Sequence, residues 1–388
     1  MRNGQKVYDA DTHVQPSAEA LEPYLSARVR ELIPDLDERK VPIRMGLAGE
    51  VREEPYRHSF RLSSGREGGW GGDAVRVLGD AGPREGTTRR FQHFMGAKFP
   101  SVGGHELADV RIRDMDEEGI DVHMMVPGGP NGHENLEVEM EFMRAQNRFL
   151  EDFSNPYPHR LKSLIVVSAR NIEESLKEIK AWAKSPWSVG VQPYMPLDYP
   201  IDHPDLNPIW QAAQEAGLPI VHHSFATGYP AYRDLWSNPF IGRSASHPWA
   251  AMRSMAAFFG SGIMDRYPEL KYGILESGFG WLPFWGRRLD DQMEYVGYVA
   301  EDLKHKPSEY MTSGRFCASI EAHEGPDMMR MVTELLGADI LMFGSDYPHA
   351  ESRFPESVDR VLAWGESVKQ EPLRKMMWDN PVRFYGEP

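Results

Sequence analysis

The chain has 388 residues, and 43 Lys+Arg against 58 Asp+Glu leave a formal net charge of −15. With 41% hydrophobic and 26% charged residues it has the profile of a soluble globular protein, and the acidic balance argues against a nucleic-acid partner or docking on anionic membranes. Cys317 is the only cysteine, which rules out an internal disulfide and a thiolate zinc cluster. No run approaches the roughly 18 apolar residues of a membrane span. Residues Met1–Lys6 lack a signal peptide's apolar run, so a reduced, cytoplasmic setting is the expectation.

In chain order, a strand over Val7–Ala10 ends near Asp11. Next comes a segment rich in Gly, Arg and Pro with little apolar periodicity, roughly Glu31–Gly104. It reads as an insertion after strand one, either a lid over the site or a disordered excursion. Strands are then expected over Val122–Val126, Leu164–Val167, Val189–Tyr194, Ile220–His223, Tyr272–Leu275, Phe316–Ser319 and Ile340–Phe343. Helices are expected over Glu134–Ser154, Ile172–Lys184, Asn207–Ala216, Pro248–Arg266, Leu282–Val299 and Asp327–Leu336. Short, continuous apolar strands fit a parallel sheet buried on both faces. Eight of them alternating with helices predict an α/β fold, a single distorted (β/α)8 TIM-type barrel over residues 1–388, interrupted by the 31–104 insertion.

Such barrels place chemistry at the carboxyl ends of their strands. Strand one ends Asp11-Thr12-His13, and residues two apart on a strand share a face, so this carboxylate and imidazole project together and suit a divalent metal. Strand five ends His222-His223, two neighbours that point to opposite faces. Strand eight runs into Gly344-Ser345-Asp346-Tyr347-Pro348-His349; a carboxylate leaving a buried strand is costly unless it is paired or metal-bound. Asp121 and His123 repeat the carboxylate–x–His spacing but stand at the start of their strand. His349 is placed to orient Asp346 or bind substrate, and Glu321 and His323 end strand seven. His247 either lines the pocket or packs at a helix start, with Pro248 in that helix's first turn. Arg233, Arg243 and Arg353 lie in loops from which a guanidinium can clamp a substrate carboxylate. Phe279 and Trp281 either stack on an aromatic ring or pack helix against barrel.

The chain resembles the amidohydrolase superfamily, in the branch that holds aminocarboxymuconate-semialdehyde decarboxylase and γ-resorcylate decarboxylase. The resemblance rests on Asp9–His13, Gly217–Ser224, His247-Pro248-Trp249, Arg266–Lys271, Gly280–Trp285, Arg288–Asp290 and Gly344–His349. It implies one divalent metal ion (Zn, Mn or Fe), no organic cofactor, and a homo-oligomer, dimer or tetramer. Carried over, the metal ligands are Asp11, His13, His223 in preference to His222, and Asp346, which also moves the proton. Where the decarboxylases carry a histidine after strand six, this chain has Glu276. That residue is read as a further ligand, an acid/base partner whose repulsion with Asp346 leaves a proton usable near neutrality, or simply an ion-pair partner of an arginine.

The resulting expectation is metal-dependent, non-oxidative decarboxylation of a small carboxylated, aromatic or ring-derived acid, with Asp346, Glu276 and His349 catalytic and His247, Arg243, Phe279 and Trp281 around the substrate. Two alternatives stand beside it. One is hydrolysis of a C–C, amide, ester or lactone bond on the same scaffold, with Asp346 as base. The other is a binding protein that kept the fold without the reaction.

Overall fold

The computed structural model describes residues 1–45, 50–53, 55–62, 100–195, 200–223, 239–349 and 352–388. Eight parallel strands follow one another in sequence order: β1 (Tyr8–Val14), β2 (Val122–Pro127), β3 (Leu161–Ser168), β4 (Ser188–Tyr194), β5 (Ile220–His223), β6 (Tyr272–Leu275), β7 (Phe316–Ser319) and β8 (Leu341–Met342). Helix α1 (Ala108–Glu118) precedes β2, and α2 (Leu136–Ser154), α3 (Ile172–Trp182), α4 (Asn207–Ala216), α5 (Pro239–Gly260), α6 (Leu282–Val296) and α7 (Gly325–Leu336) follow β2 to β7 in turn. Beyond β8 the chain runs beside β1 and closes the ring. Ala10 N–H donates to the Phe343 carbonyl at 2.8 Å, Asp346 N–H to that of Asp11 at 2.9 Å, and His13 N–H to that of Tyr347 at 2.6 Å. This seam is where three of the expected site residues meet.

The strands are rich in apolar residues because both faces are covered; all eight residues of β3 are buried. Inside the barrel, Tyr8, Ala10, Leu164, Val189, Leu275 and Cys317 pack with Phe384 and Tyr385 of the C-terminal helix α8 (Asn380–Tyr385). That helix closes the end opposite the carboxyl ends, with Lys271 Nζ donating to the Phe384 carbonyl at 2.9 Å. The Phe384 ring fills space that Gly273 leaves open: a Cβ there would lie 2.9 Å from it. No helix among the described residues is long and apolar enough to cross a membrane.

Two differences from the sequence reading have physical causes. Helix α1 is hidden in the sequence because its buried side includes Arg111, Asp114 and Glu118 as well as Val110, Ile112 and Met115, which erases the apolar period. Helix α5 starts at Pro239, so Pro248 lies inside it rather than in its first turn. The segment read from the sequence as an insertion carries structure where it is described. Lys40–Pro42 pairs antiparallel with His58–Phe60, and Arg44–Met45 with Glu50–Val51. Phe60 meets Phe142 of α2 edge-on at 5.3 Å, and Leu36 and Leu62 join the main core; residues 63–99 lie outside the described residues.

Glu118 at the end of α1 gives one testable consequence. Its Oε1 accepts the Ser357 N–H at 3.0 Å, and burial pushes its carboxyl from 4.5 up to about 7. A carboxyl raised in the fold stabilises it fully below its unfolded pKa and loses that contribution as pH rises through the folded one. The loss is on the order of 3 kcal/mol between pH about 4.5 and 7. Glu118→Gln is expected to flatten this dependence in urea unfolding at pH 5 and 8; an unchanged difference between the two pH values rejects the assignment.

Candidate metal centre

The site is assembled from five strand ends. Asp11 and His13 come from β1, His223 from β5, Glu276 from the residue after β6, Ser319 from β7, and Asp346 and His349 from the segment after β8. Simple alternation along β1 does not deliver this arrangement. The register with β2 slips between Asp9 and Thr12, the mark of a bulge that re-aims a side chain. Ala10 packs into the barrel interior, yet its neighbour Asp11 also reaches inward and accepts from Ser319 Oγ at 2.8 Å. Asp9 secures the irregularity by accepting from the Asp11 and Ser345 N–H groups at 3.2 and 3.0 Å.

Imidazole and carboxylate atoms then converge. His13 Nε2 lies 2.8 Å from Asp346 Oδ1, 3.1 Å from Glu276 Oε2 and 3.9 Å from Asp11 Oδ1. His223 Nε2 lies 2.7 Å from Glu276 Oε2 and 3.9 Å from Asp11 Oδ1. Each of these five residues is at most 7% exposed. Asp11 Oδ1 and Asp346 Oδ2 are buried without a hydrogen-bond partner, a condition that costs about 1–3 kcal/mol per atom when nothing else satisfies them. Ligand atoms about 2.1 Å from one ion and at right angles to each other stand about 3 Å apart. The spacing, the orphaned atoms and the imidazole–carboxylate donor set fit one divalent transition metal.

The backbone is strained at two of these residues. Glu276 has φ +46° and Asp346 φ +64°, left-handed conformations that cost non-glycine residues about 1–3 kcal/mol and collect at functional sites. Glu276 N–H is held by Asp11 Oδ2 at 2.9 Å and Ser319 Oγ at 3.0 Å. One Asp11 oxygen thus anchors the turn after β6 while the other faces the centre. Ser319 was missed in the sequence; its place as the last residue of β7 was the available signal.

Burial pushes the Asp11 carboxyl up to about 6, against the pull of His223 and His13. Burial also acts upward on Glu276, but the His223 and His13 imidazoles hold it well below the usual range. His13 itself is held well above its ordinary value by Asp346 and Glu276, against its burial. Glu276 and Asp346 do not meet as a bare carboxylate pair: His13 Nε2 is in contact with both, 3.1 Å from Glu276 Oε2 and 2.8 Å from Asp346 Oδ1.

The remaining candidates separate. His349 Nδ1 is 2.6 Å from Asp346 Oδ1, its ring stacks on His13 at 4.2 Å, and its side chain is 39% exposed. His223 joins the cluster; burial pushes the neighbouring His222 down to about 3. Phe279 is fully buried in the main core, its N–H donating to Glu324 Oε2 at 3.0 Å. Trp281 packs against that core, and its Nε1 donates to the Ser277 carbonyl at 2.8 Å. The side chains of Arg243 and His247, and Arg233 altogether, lie outside the described residues. His123 is buried between Asp9, at 3.8 Å, and Arg111, at 3.1 Å, and lies outside the cluster.

Solved structures share the fold. The 5-carboxyvanillate decarboxylase of Sphingomonas paucimobilis matches with TM-score 0.66 and 19% identity over 99% of this chain and 100% of its own. An amidohydrolase of Mycobacterium avium subsp. paratuberculosis matches with TM-score 0.71 and 18% identity over 98% of this chain and 97% of its own. A dihydroxybenzoic acid decarboxylase of Polaromonas, solved with manganese and 2-nitroresorcinol, matches with TM-score 0.57 and 21% identity over 71% of this chain and 85% of its own. A family model described as Amidohydrolase matches residues 104–386, from before α1 through α8, and with it every strand end of the site except that of β1: this chain belongs to the amidohydrolase family.

Proposed function

We propose that the protein is a metal-dependent decarboxylase of a small aromatic carboxylic acid. The observation that carries this reading is the buried convergence of Asp11, His13, His223, Glu276 and Asp346, in two overlapping groups that share His13, with orphaned oxygens on Asp11 and Asp346. Support also comes from the decarboxylases of hydroxylated aromatic acids that share the fold, one of them solved with manganese. Asp11, His13, His223 and Asp346 would hold the ion. When bound, it supplies Lewis-acid polarisation and a template for substrate oxygens.

The chain's own residues do the rest. Asp346, protonated, delivers its proton to the ring carbon that bears the carboxylate. The C–C bond then breaks, its electron pair returns to the ring, and CO2 leaves. His349, in contact with Asp346 Oδ1 and partly open to solvent, returns the proton. The buried site excludes water from the intermediate charge distribution. The tie of Arg52 to Glu106, both buried and paired at 2.7 Å, supports the insertion as a cover.

A hydrolytic reading is favoured by one observation, the extra carboxylate of Glu276 at the centre. In it Asp346 takes a proton from water. The test is CO2 release from a panel of hydroxybenzoates by the Mn(II)-loaded protein, with His13→Ala as control. Release from at least one compound, lost in the control, is the expected result. Turnover of esters or lactones with no CO2 from any acid would replace decarboxylation by hydrolysis.

A further inference from the structure

We propose that Glu276 is itself a metal ligand, so that the centre has three carboxylates and two imidazoles. This rests on the reading of the cluster as a metal centre. Glu276 Oε2 is 2.7 Å from one imidazole Nε2 and 3.1 Å from the other, closer to the pair than Asp11 Oδ1, which stands 3.9 Å from each. An oxygen at that spacing from two nitrogens occupies a corner of the coordination shell they define. Its backbone is built to aim it there. The left-handed φ of +46° turns the side chain in, and the N–H is pinned by Asp11 Oδ2 and Ser319 Oγ. The turn is clamped from behind by Glu324, whose Oε2 accepts from the Phe279 and Gly280 N–H groups at 3.0 and 2.7 Å. A cramped cradle surrounds the clamp: a Cβ on Gly278 would lie 2.4 Å from Glu324 Oε1.

An acid/base role fits this geometry less well. Glu276 and Asp346 approach the same His13 nitrogen, and the residue poised to exchange protons with Asp346 is His349. Chemically, an oxygen donor in place of a nitrogen hardens the site. Carboxylate-rich sites suit Mn(II) better, and imidazole-rich sites suit Zn(II) better, on top of the general order that favours Zn(II). With Asp346 protonated as the proton donor, the carboxylates of Asp11 and Glu276 together balance the charge of a divalent ion.

The test uses metal-stripped full-length protein. Mn(II) is titrated with electron paramagnetic resonance of the free ion, and Zn(II) by competition with a chromophoric chelator. Wild type, Glu276→Gln, Glu276→His and His13→Ala are compared, with circular dichroism of the metal-free forms as the control for folding. Losing an outer-shell partner that only orients a metal-bound imidazole typically costs about 10–100-fold in affinity. Glu276→Gln, which removes a ligand charge, is expected to weaken Mn(II) by more than about 100-fold, beyond that outer-shell range, while Glu276→His recovers Zn(II) binding and leaves Mn(II) weak. A loss within the outer-shell range in Glu276→Gln, with no Zn(II) gain in Glu276→His, makes Glu276 a positioning residue and overturns the assignment. Unchanged Mn(II) affinity in either folded variant, with His13→Ala defective, overturns the assignment and leaves the metal centre standing. No uptake of either ion by wild type, or uptake unaltered in His13→Ala, overturns the centre and the proposed function together.

Discussion

Asp346→Asn is expected to lower kcat by at least about 1,000-fold, roughly 4 kcal/mol in the barrier, without unfolding the protein. The substitution is nearly isosteric, and the left-handed backbone at φ +64° suits asparagine as well as aspartate. The seam hydrogen bond from residue 346 N–H to the Asp11 carbonyl uses the main chain and is preserved. What is lost is chemistry. An amide cannot exchange the proton that the ring carbon receives, and it is a poorer partner for His349 Nδ1 and for a cation. Stopped-flow CO2 detection under substrate saturation, with circular dichroism to verify the fold, measures the effect. Activity within ten-fold of wild type would remove Asp346 from the proton path.

The barrel was legible because a strand buried on both faces writes itself as an uninterrupted apolar run. Ile220–His223, Tyr272–Leu275 and Phe316–Ser319 appear in the fold with the bounds that pattern suggests. Strand β1 runs on to Val14, past the polar Asp11-Thr12-His13, because a strand that builds a site must turn hydrophilic before it ends. Helix α1 was invisible for the opposite reason: it buries an arginine and two acids, and their partners lie far off in sequence. Arg111 bonds to Thr12 and His13, and Glu118 bonds to Ser357.

The site was legible at its strand ends and opaque in between. Asp11, His13 and Asp346 could be named from position, since the carboxyl end of a barrel strand is where side chains meet; position left His222 and His223 open, and the family resemblance chose His223. Two details could be read from neither. The bulge that turns Asp11 inward depends on the hydrogen bond that Asp9 accepts from the Ser345 N–H, in the segment after β8, more than three hundred residues away in sequence. The environment of Glu276 depends on which groups flank it in space; an arginine was a fair sequence expectation, and the structure supplies the imidazoles of His13 and His223.

Arg111→Met is expected to be the most damaging substitution outside the cluster, costing about 3–5 kcal/mol of stability and loosening the metal centre. Arg111 is fully buried. Its guanidinium donates to the His13 carbonyl at 2.7 Å, to Thr12 Oγ1 at 2.7 Å and to His123 Nδ1 at 3.1 Å, and it lies 4.8 Å over the Tyr347 ring. Burial pulls it down to about 10, so it keeps its charge at neutral pH. Methionine matches much of the stem but leaves these acceptors with no donor, at about 1–3 kcal/mol for each buried one. Because Arg111 grips β1 at His13 and Tyr347 beside Asp346, the loss falls on the seam that carries three of the proposed ligands, Asp11, His13 and Asp346. Arg111→Lys keeps the charge yet cannot fork to three acceptors, and should fall between. Urea unfolding gives the stability, and Mn(II) titration of the folded variants gives the coupling to the site. A Met variant with lowered stability but wild-type Mn(II) affinity would make Arg111 a residue of the fold alone; weakened affinity that Lys partly restores would show that it positions the ligands.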